Sequence, residues 1–271
     1  MNIEEIMNVN FKKFSIDKDR LVIDALSLMD KNKTSILLCI DNKKELKGII
    51  TERDLLDRLG SIKSGKLKTS SIRISNIMVY DPVVAKPDDS VYKVAEIMYD
   101  NGYTGIPIVD DKLVGFVSQN EMLKVCQKIK TITVDKIMEK NPIIISEDSR
   151  LIHARRILFE KDVCYVLVGS RSSVKGVATE GVLARAFSDF REKVPGVHQE
   201  ERLRQITIEK YCKAPFIIAK DTSIGEAADQ MLNKGTRILV ITDKSERLLG
   251  IVSKDILIRF IKNKLSLKNF I

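Results

Sequence analysis

A four-residue phrase occurs four times in this chain and constrains its fold more than any other feature: Gly48-Ile49-Ile50-Thr51, Gly115-Phe116-Val117-Ser118, Gly176-Val177-Ala178-Thr179 and Gly250-Ile251-Val252-Ser253. Each copy is a glycine, two apolar residues and a hydroxyl. The glycines stand 67, 61 and 74 positions apart. That spacing is too regular for chance and too long for one solenoid turn, so each copy marks a small unit of its own.

Around every phrase the same order of patterns is legible: strand, helix, strand, strand, helix. In the second copy Val83-Val84-Ala85 reads as a short strand, and Asp88, Asp89 and Ser90 offer N-caps for a helix with the apolar column Val91, Val94, Ala95 and Met98. Gly102 stops that helix. Ile106 to Val109, a turn at Asp110-Asp111 and Leu113 to Val117 form a hairpin, and a second helix covers Asn120 to Val125. The matching columns are Val22, Ala25, Leu26 and Met29 in the first copy, Leu151, Ala154, Ile157 and Leu158 in the third, and Ile224, Ala227, Ala228 and Met231 in the fourth. Such stripes are core positions. The fold class is therefore α/β, with units at residues 1–59, 74–128, 133–188 and 207–264. A polar link runs from Ser61 to Ser75, and a longer connector from Ser188 to Gln205 carries Pro195-Gly196, His198 and a short helix after the turn.

Units of about 60 residues are marginal alone and should pair. The chain has the material for it: 271 residues, 44% hydrophobic and 31% charged. No apolar run approaches the roughly 18 residues that cross a bilayer, and Glu4 and Glu5 replace a signal-peptide pattern, so a soluble, cytoplasmic protein without membrane contact is expected. Cys39, Cys126, Cys164 and Cys212 fall one to a unit without Cys-x-x-Cys spacing, and His153 and His198 are the only histidines. No metal site is expected from that set. The same shortage leaves no Cys/His or Ser/His/Asp constellation, and neither Gly-x-x-x-x-Gly-Lys-Ser/Thr nor Gly-x-Gly-x-x-Gly is present, which argues against an enzyme.

Further residues carry a resemblance. Ile6-Met7, Ile77-Met78 and Ile137-Met138 open the units, Asp81-Pro82 and Asn141-Pro142 follow, and Gly48-Ile49-Ile50-Thr51-Glu52-Arg53-Asp54 and Gly102-Tyr103-Thr104-Gly105-Ile106-Pro107-Ile108 complete the pattern. In these segments, over nearly the whole chain, it resembles the CBS domain family, named for cystathionine beta-synthase. The resemblance implies two Bateman modules of paired units with pseudo-twofold symmetry, one from units one and two and one from units three and four, a layout similar to the gamma subunit of AMP-activated protein kinase. It also implies regulatory binding of an adenine nucleotide (AMP, ADP or ATP), or of S-adenosylmethionine, with a homodimer or a regulated partner protein as reader.

In the family the hydroxyl of the phrase meets phosphate and an Asp three residues on meets ribose. A helix start suits a phosphate because its amides are unpaired and its dipole is positive, and residue +3 lies on the same face. The first copy fits best: Thr51 for phosphate, Asp54 for ribose, Arg53 as phosphate partner, and Thr34-Ser35-Ile36 as the strand edge facing adenine. The alternative is that Thr51 and Asp54 simply cap the following helix. The second copy has Tyr103-Thr104-Gly105-Ile106-Pro107 and Ser118, with Glu121 in place of Asp. The fourth has Thr236, Arg237 and Ser253, but Asp255 comes one residue early, so either the turn is tighter or Asp255 points elsewhere. In the third Val182 replaces the carboxylate, and Cys164 and Tyr165 replace the polar edge, so an empty or structural cleft is expected.

The charge of +9 supports a second reading. Lys63, Lys66, Lys68 and Arg73 share an acid-free stretch, as do Arg259, Lys262, Lys264 and Lys268. A basic scaffold for nucleic acid or an acidic partner follows, although the bland reading of solvated surface is the stronger one. No tryptophan and no nucleic-acid motif supports base stacking.

Overall fold

The computed structural model describes residues 1–61, 68–194 and 199–263. Repeat one contains β1 (Ser15–Asp17), α1 (Val22–Asn32), β2 (Ile36–Ile40), β3 (Leu46–Thr51) and α2 (Glu52–Gly60), followed by β4 (Val79–Tyr80). Repeat two has α3 (Val91–Asp100), β5 (Gly105–Asp110), β6 (Lys112–Ser118) and α4 (Gln119–Cys126). Repeat three has β7 (Ile144–Ile145), α5 (Leu151–Glu160), β8 (Tyr165–Ser170), β9 (Ser173–Thr179) and α6 (Glu180–Lys193), after which comes the short α7 (Gln199–Leu203). Repeat four has β10 (Ile217–Ala219), α8 (Ile224–Lys234), β11 (Ile238–Thr242), β12 (Leu248–Ser253) and α9 (Lys254–Asn263).

Local chemistry sets the boundaries. Ser90 caps α3 by accepting from the Lys93 N–H, and Ser223 caps α8 with Glu226 returning the bond. Gly235 ends α8 and Lys33 ends α1 in the left-handed region, at φ 64° and 50°. The predicted apolar columns are buried, except Ile157, which is half-buried against the core. Val83 and Val84, read as strand, are exposed; in that run only Ala85 bridges Ile108. The connector after repeat three is shorter than expected, because α6 continues to Lys193. Pro195-Gly196, His198, Lys63, Lys66, Lys264 and Lys268 lie outside the described residues. No helix among the described residues is long and apolar enough to cross a membrane.

In repeats one, three and four the first strand runs parallel to the second, and the second and third form an antiparallel hairpin. A segment leading into a neighbouring repeat then closes the outer edge. Val79 pairs with Ile49, Asn8 with Phe116, Lys213 with Val177 and Glu139 with Ile251. This exchange explains the glycine of the repeated phrase. A Cβ at Gly250 would sit 2.5 Å from the Glu139 carbonyl oxygen, one at Gly115 3.2 Å from the Asn8 carbonyl oxygen, and one at Gly48 inside contact distance of the Val79 carbonyl. The glycine is the gap through which another backbone approaches.

The chain forms two compact units. One consists of Phe14–Tyr80 and Pro142–Pro215, and holds repeats one and three; the other consists of Met1–Lys13, Asp81–Asn141 and Phe216–Ile271, and holds repeats two and four. Compactness joins alternate repeats, and the lead-in segment that precedes each repeat in the chain belongs to the unit of the repeat whose edge it closes. The reason is packing: α2 lies on α6 in the odd unit, and α9 lies on α3 and α4 in the even unit. In the odd unit Leu55, Leu59, Leu183 and Phe187 share one buried cluster.

Candidate functional site

The residue after each phrase opens a helix, so the four hydroxyls stand at four helix N-termini. Each one caps. Thr51 Oγ1 accepts from Asp54 N at 3.3 Å, Ser118 Oγ from Asn120 N at 3.1 Å, Thr179 Oγ1 from Val182 N at 3.3 Å and Ser253 Oγ from Ile256 N at 3.3 Å. One orphan amide at each of the four helix starts is thus answered within the chain.

At the first site Asp54 closes a capping box: its Oδ2 accepts from Thr51 N at 2.8 Å and from Thr51 Oγ1 at 2.7 Å. Among the described residues nothing donates to the other oxygen, Oδ1. Burial raises the Asp54 carboxyl above its ordinary range, against the lowering effect of the two Thr51 bonds. Ser35 is half-buried, and its carbonyl accepts the Glu52 N–H at the start of the same helix. Thr34 is turned inward, with its hydroxyl bonded to the Ile36 carbonyl at 3.1 Å, and Ile36 is core. Arg53, expected at a phosphate, instead spans to repeat three. It donates to Glu180 at 2.8 Å and Asp162 at 2.7 Å, and its guanidinium lies over the Phe159 ring.

The second site is closed by its own residues. Glu121 Oε2 accepts from Ser118 N at 2.9 Å and Ser118 Oγ at 2.6 Å, while Oε1 meets Asn8 Nδ2 at 3.4 Å and lies 3.8 Å from Lys124. Thr104, Gly105, Ile106 and Pro107 are buried, and Tyr103 is half-buried. In the third copy Val182 belongs to the odd unit's core, and Asp162 is held by Arg53. At the fourth site Thr236 Oγ1 donates to the Ile238 carbonyl at 3.0 Å, and Arg237 and Asp255 are half-buried. Of the two readings of Asp255, the structure selects the second. The carboxylate points to repeat two, where Gln119 Nε2 donates to it at 2.6 Å, with Arg237 Nη2 at 3.9 Å.

The sequence reading passed over the residue directly after each hydroxyl. Glu52, Gln119, Glu180 and Lys254 are all buried, between 3% and 7% exposed. In the odd unit Glu52 accepts from Arg185 at 3.0 Å, which also holds Asp30, and Glu180 accepts from Arg53. Burial opposes the Arg185 charge, but Asp30 and Glu52 outweigh it and raise its pKa. In the even unit Lys254 Nζ donates to Asn120 at 2.5 Å. A polar residue at the same step in all four copies was the available signal. The exposed apolar pairs Val83-Val84 and Phe216-Ile217 were also missed as surface; Lys234 lies over the Phe216 ring. Among the described residues no group of His, Cys, Asp and Glu could hold a metal.

The model of the CBS domain matches residues 3–61, 74–128, 134–189 and 208–263. An uncharacterised 33.4 kDa protein from the ribosomal RNA operon of Thermofilum pendens is 24% identical over 261 residues, 88% of this chain and 84% of that protein. Inosine-5'-monophosphate dehydrogenase of Nitrosopumilus maritimus is 35% identical over 98 residues, 36% of this chain but only 18% of the enzyme. A solved protein of Methanocaldococcus jannaschii, a proposed archaeal homologue of g-AMPK, superposes with a TM-score of 0.78 at 18% identity, covering 96% of this chain and 99% of its own. At that identity the likeness is one of fold.

Proposed function

The chain belongs to the CBS domain family, and from that premise we propose that it is a regulatory protein that binds an adenine nucleotide without turning it over. The observation that carries this reading is the Asp54 carboxylate. One oxygen is fixed by Thr51 and the other has no donor among the described residues, which is the arrangement a vicinal diol needs: a rigid acceptor with a free lone-pair edge. The first repeat is thus the principal site, with Thr51 as its cap and Ser35 at its edge.

The fourth repeat is the second candidate, with Thr236, Arg237 and Ser253 around it and Phe216-Ile217 as an exposed apolar surface of the kind a purine ring covers. The second site needs Glu121 to release bonds before a ligand can enter, so it binds more weakly. AMP, ADP, ATP and S-adenosylmethionine all share the adenosine that these groups address. A ligand that binds one arrangement of the repeats better than another shifts the population, and a partner reading that arrangement is switched. A homodimer and a regulated protein are both candidate readers.

Calorimetric titration of the purified chain against the four ligands tests this. Saturable heat with at least one supports the proposal. Silence with all of them at millimolar concentration overturns it.

A further inference from the structure

Seven residues after the repeated hydroxyl, the second helix of each repeat reaches a core position. Three repeats place an apolar residue there: Val125, Ala186 and Phe260, at 8%, 1% and 7% exposed. The first repeat places Arg58. Its side chain is half-buried, its Nε is shut away from water without a hydrogen-bond partner, and no ion pair reaches its guanidinium among the described residues. Buried polar atoms are normally satisfied, so Arg58 carries a charge that the fold itself leaves unanswered.

A second arginine stands against it. α6 runs for 14 residues, whereas α2, α4 and α9 have 9, 8 and 10. The added length brings Arg191, 3% exposed, across the end of α2, where its Nε donates to the Leu59 carbonyl at 2.6 Å and its Nη2 to the Ser61 carbonyl at 2.8 Å. Burial lowers the Arg191 pKa, and the Arg58 charge beside it lowers it further. Carbonyls at a helix end repel an anion, but Arg191 covers those of α2. The acids of this region are engaged elsewhere. Asp57 accepts from Arg155 at 2.7 Å, both oxygens of Glu192 accept from Ser70, and Asp189 is exposed on the side of Tyr211. The sequence that leaves α2, from Ser61 to Ser75, holds four cations and no acid.

We propose that the ends of α2 and α6 form a docking surface for an acidic segment of a partner protein, with one of its Asp or Glu carboxylates held by the Arg58 guanidinium beside Arg191. The planar fork of an arginine meets a carboxylate in two parallel bonds, which a lysine cannot do. A half-exposed fork suits an occupant that arrives at the surface. Thr51 and Thr179 stand at the opposite ends of these helices, so the surface is independent of the nucleotide reading.

Fluorescence anisotropy of a fluorescein-labelled hexaglutamate peptide, titrated with the full chain at fixed ionic strength, tests the surface. Saturable binding is expected in the wild type, about tenfold weaker in Arg58→Leu, which loses a charge-assisted bond, with a smaller loss in Arg58→Lys, which keeps the charge but not the fork. Lys43→Gln removes the same charge at an exposed position of the odd unit and should bind as the wild type does. Circular dichroism establishes that the variants are folded, and Arg58→Lys decides if Arg58→Leu is not. Arg58→Leu should melt at or above the wild-type temperature, because three repeats carry an apolar residue at that step; a lower melting temperature would give Arg58 a role in the fold and overturn the proposal. It is also overturned by no peptide binding in the wild type, by equal affinity in the folded Arg58 variants, or by an equal loss in Lys43→Gln. Displacement of the peptide by free glutamate at equal concentration would make the occupant a small carboxylate, and tighter Arg58-dependent binding of a labelled single-stranded DNA hexamer would make it a nucleic acid; either result overturns the acidic segment.

Discussion

Arg53 holds Glu180 at 2.8 Å although 127 residues separate them, and Glu180 is 3% exposed. The pair locks α2 onto repeat three at the residue next to the candidate ribose acceptor. Removing Arg53 takes a charge-assisted bond from a carboxylate that water barely reaches, at a cost of about 1–3 kcal/mol. Arg53→Ala should therefore lower the denaturation midpoint, and Arg53→Ala/Glu180→Gln should recover part of the loss. Urea melts of these two variants and of Glu180→Gln check this; a double variant as unstable as the sum of its single substitutions would show that the two residues do not interact.

The repeated glycine yields a separate expectation. At Gly250 a methyl group would meet the Glu139 carbonyl oxygen at 2.5 Å, and backbone cannot move aside as a flexible side chain can. Gly250→Ala should destabilise the even unit by about 1–3 kcal/mol through overpacking. Gly102→Ala fails for another reason: nothing lies within 4 Å, but φ is +65°. Thermal melts of both variants should show losses, and an unchanged Gly250→Ala would remove the proposed reason for the fourfold glycine.

How far the sequence carried the fold follows from these residues. The phrase and its apolar columns announced four units because period and burial are local properties, and the hydroxyls could be read as helix caps before any coordinates. The close approach behind each glycine could not, since its partner lies far along the chain, as Val79 does from Gly48 and Glu139 from Gly250. Arg53 and Asp255 illustrate the same limit at the site. Both stand at positions that suit a ligand, and both are taken by side chains from another repeat.

Acidity should act through Asp54. Burial raises its folded pKa above the ordinary 3.8, so the folded state holds the proton more tightly than the unfolded chain. The stability this contributes is fully present below about pH 3.8 and is lost as pH rises through the raised value. Asp54→Asn removes the effect, so its stability relative to wild type should improve as pH rises across that window. Parallel melting curves for the two proteins would contradict the raised value.

The cysteines should divide into two classes. Burial pushes the thiols of Cys39 and Cys126 up to about 12, with the Asp54 charge adding to the effect at Cys39. Cys164 and Cys212 are half-buried. At pH 8 a thiol reagent should label neither Cys39 nor Cys126 in the native protein and all four in urea, because the thiolate is the reacting form. Native labelling of Cys39 would contradict its placement in the core.

The central claim is that this chain binds adenosine through Asp54. Titration of AMP into wild type and Asp54→Ala tests it most directly, with circular dichroism to establish that the variant is folded. The account predicts saturable binding in the wild type and a loss of about tenfold or more in the variant, because a charged acceptor for the ribose hydroxyls is gone. Equal affinity in the two proteins would contradict it.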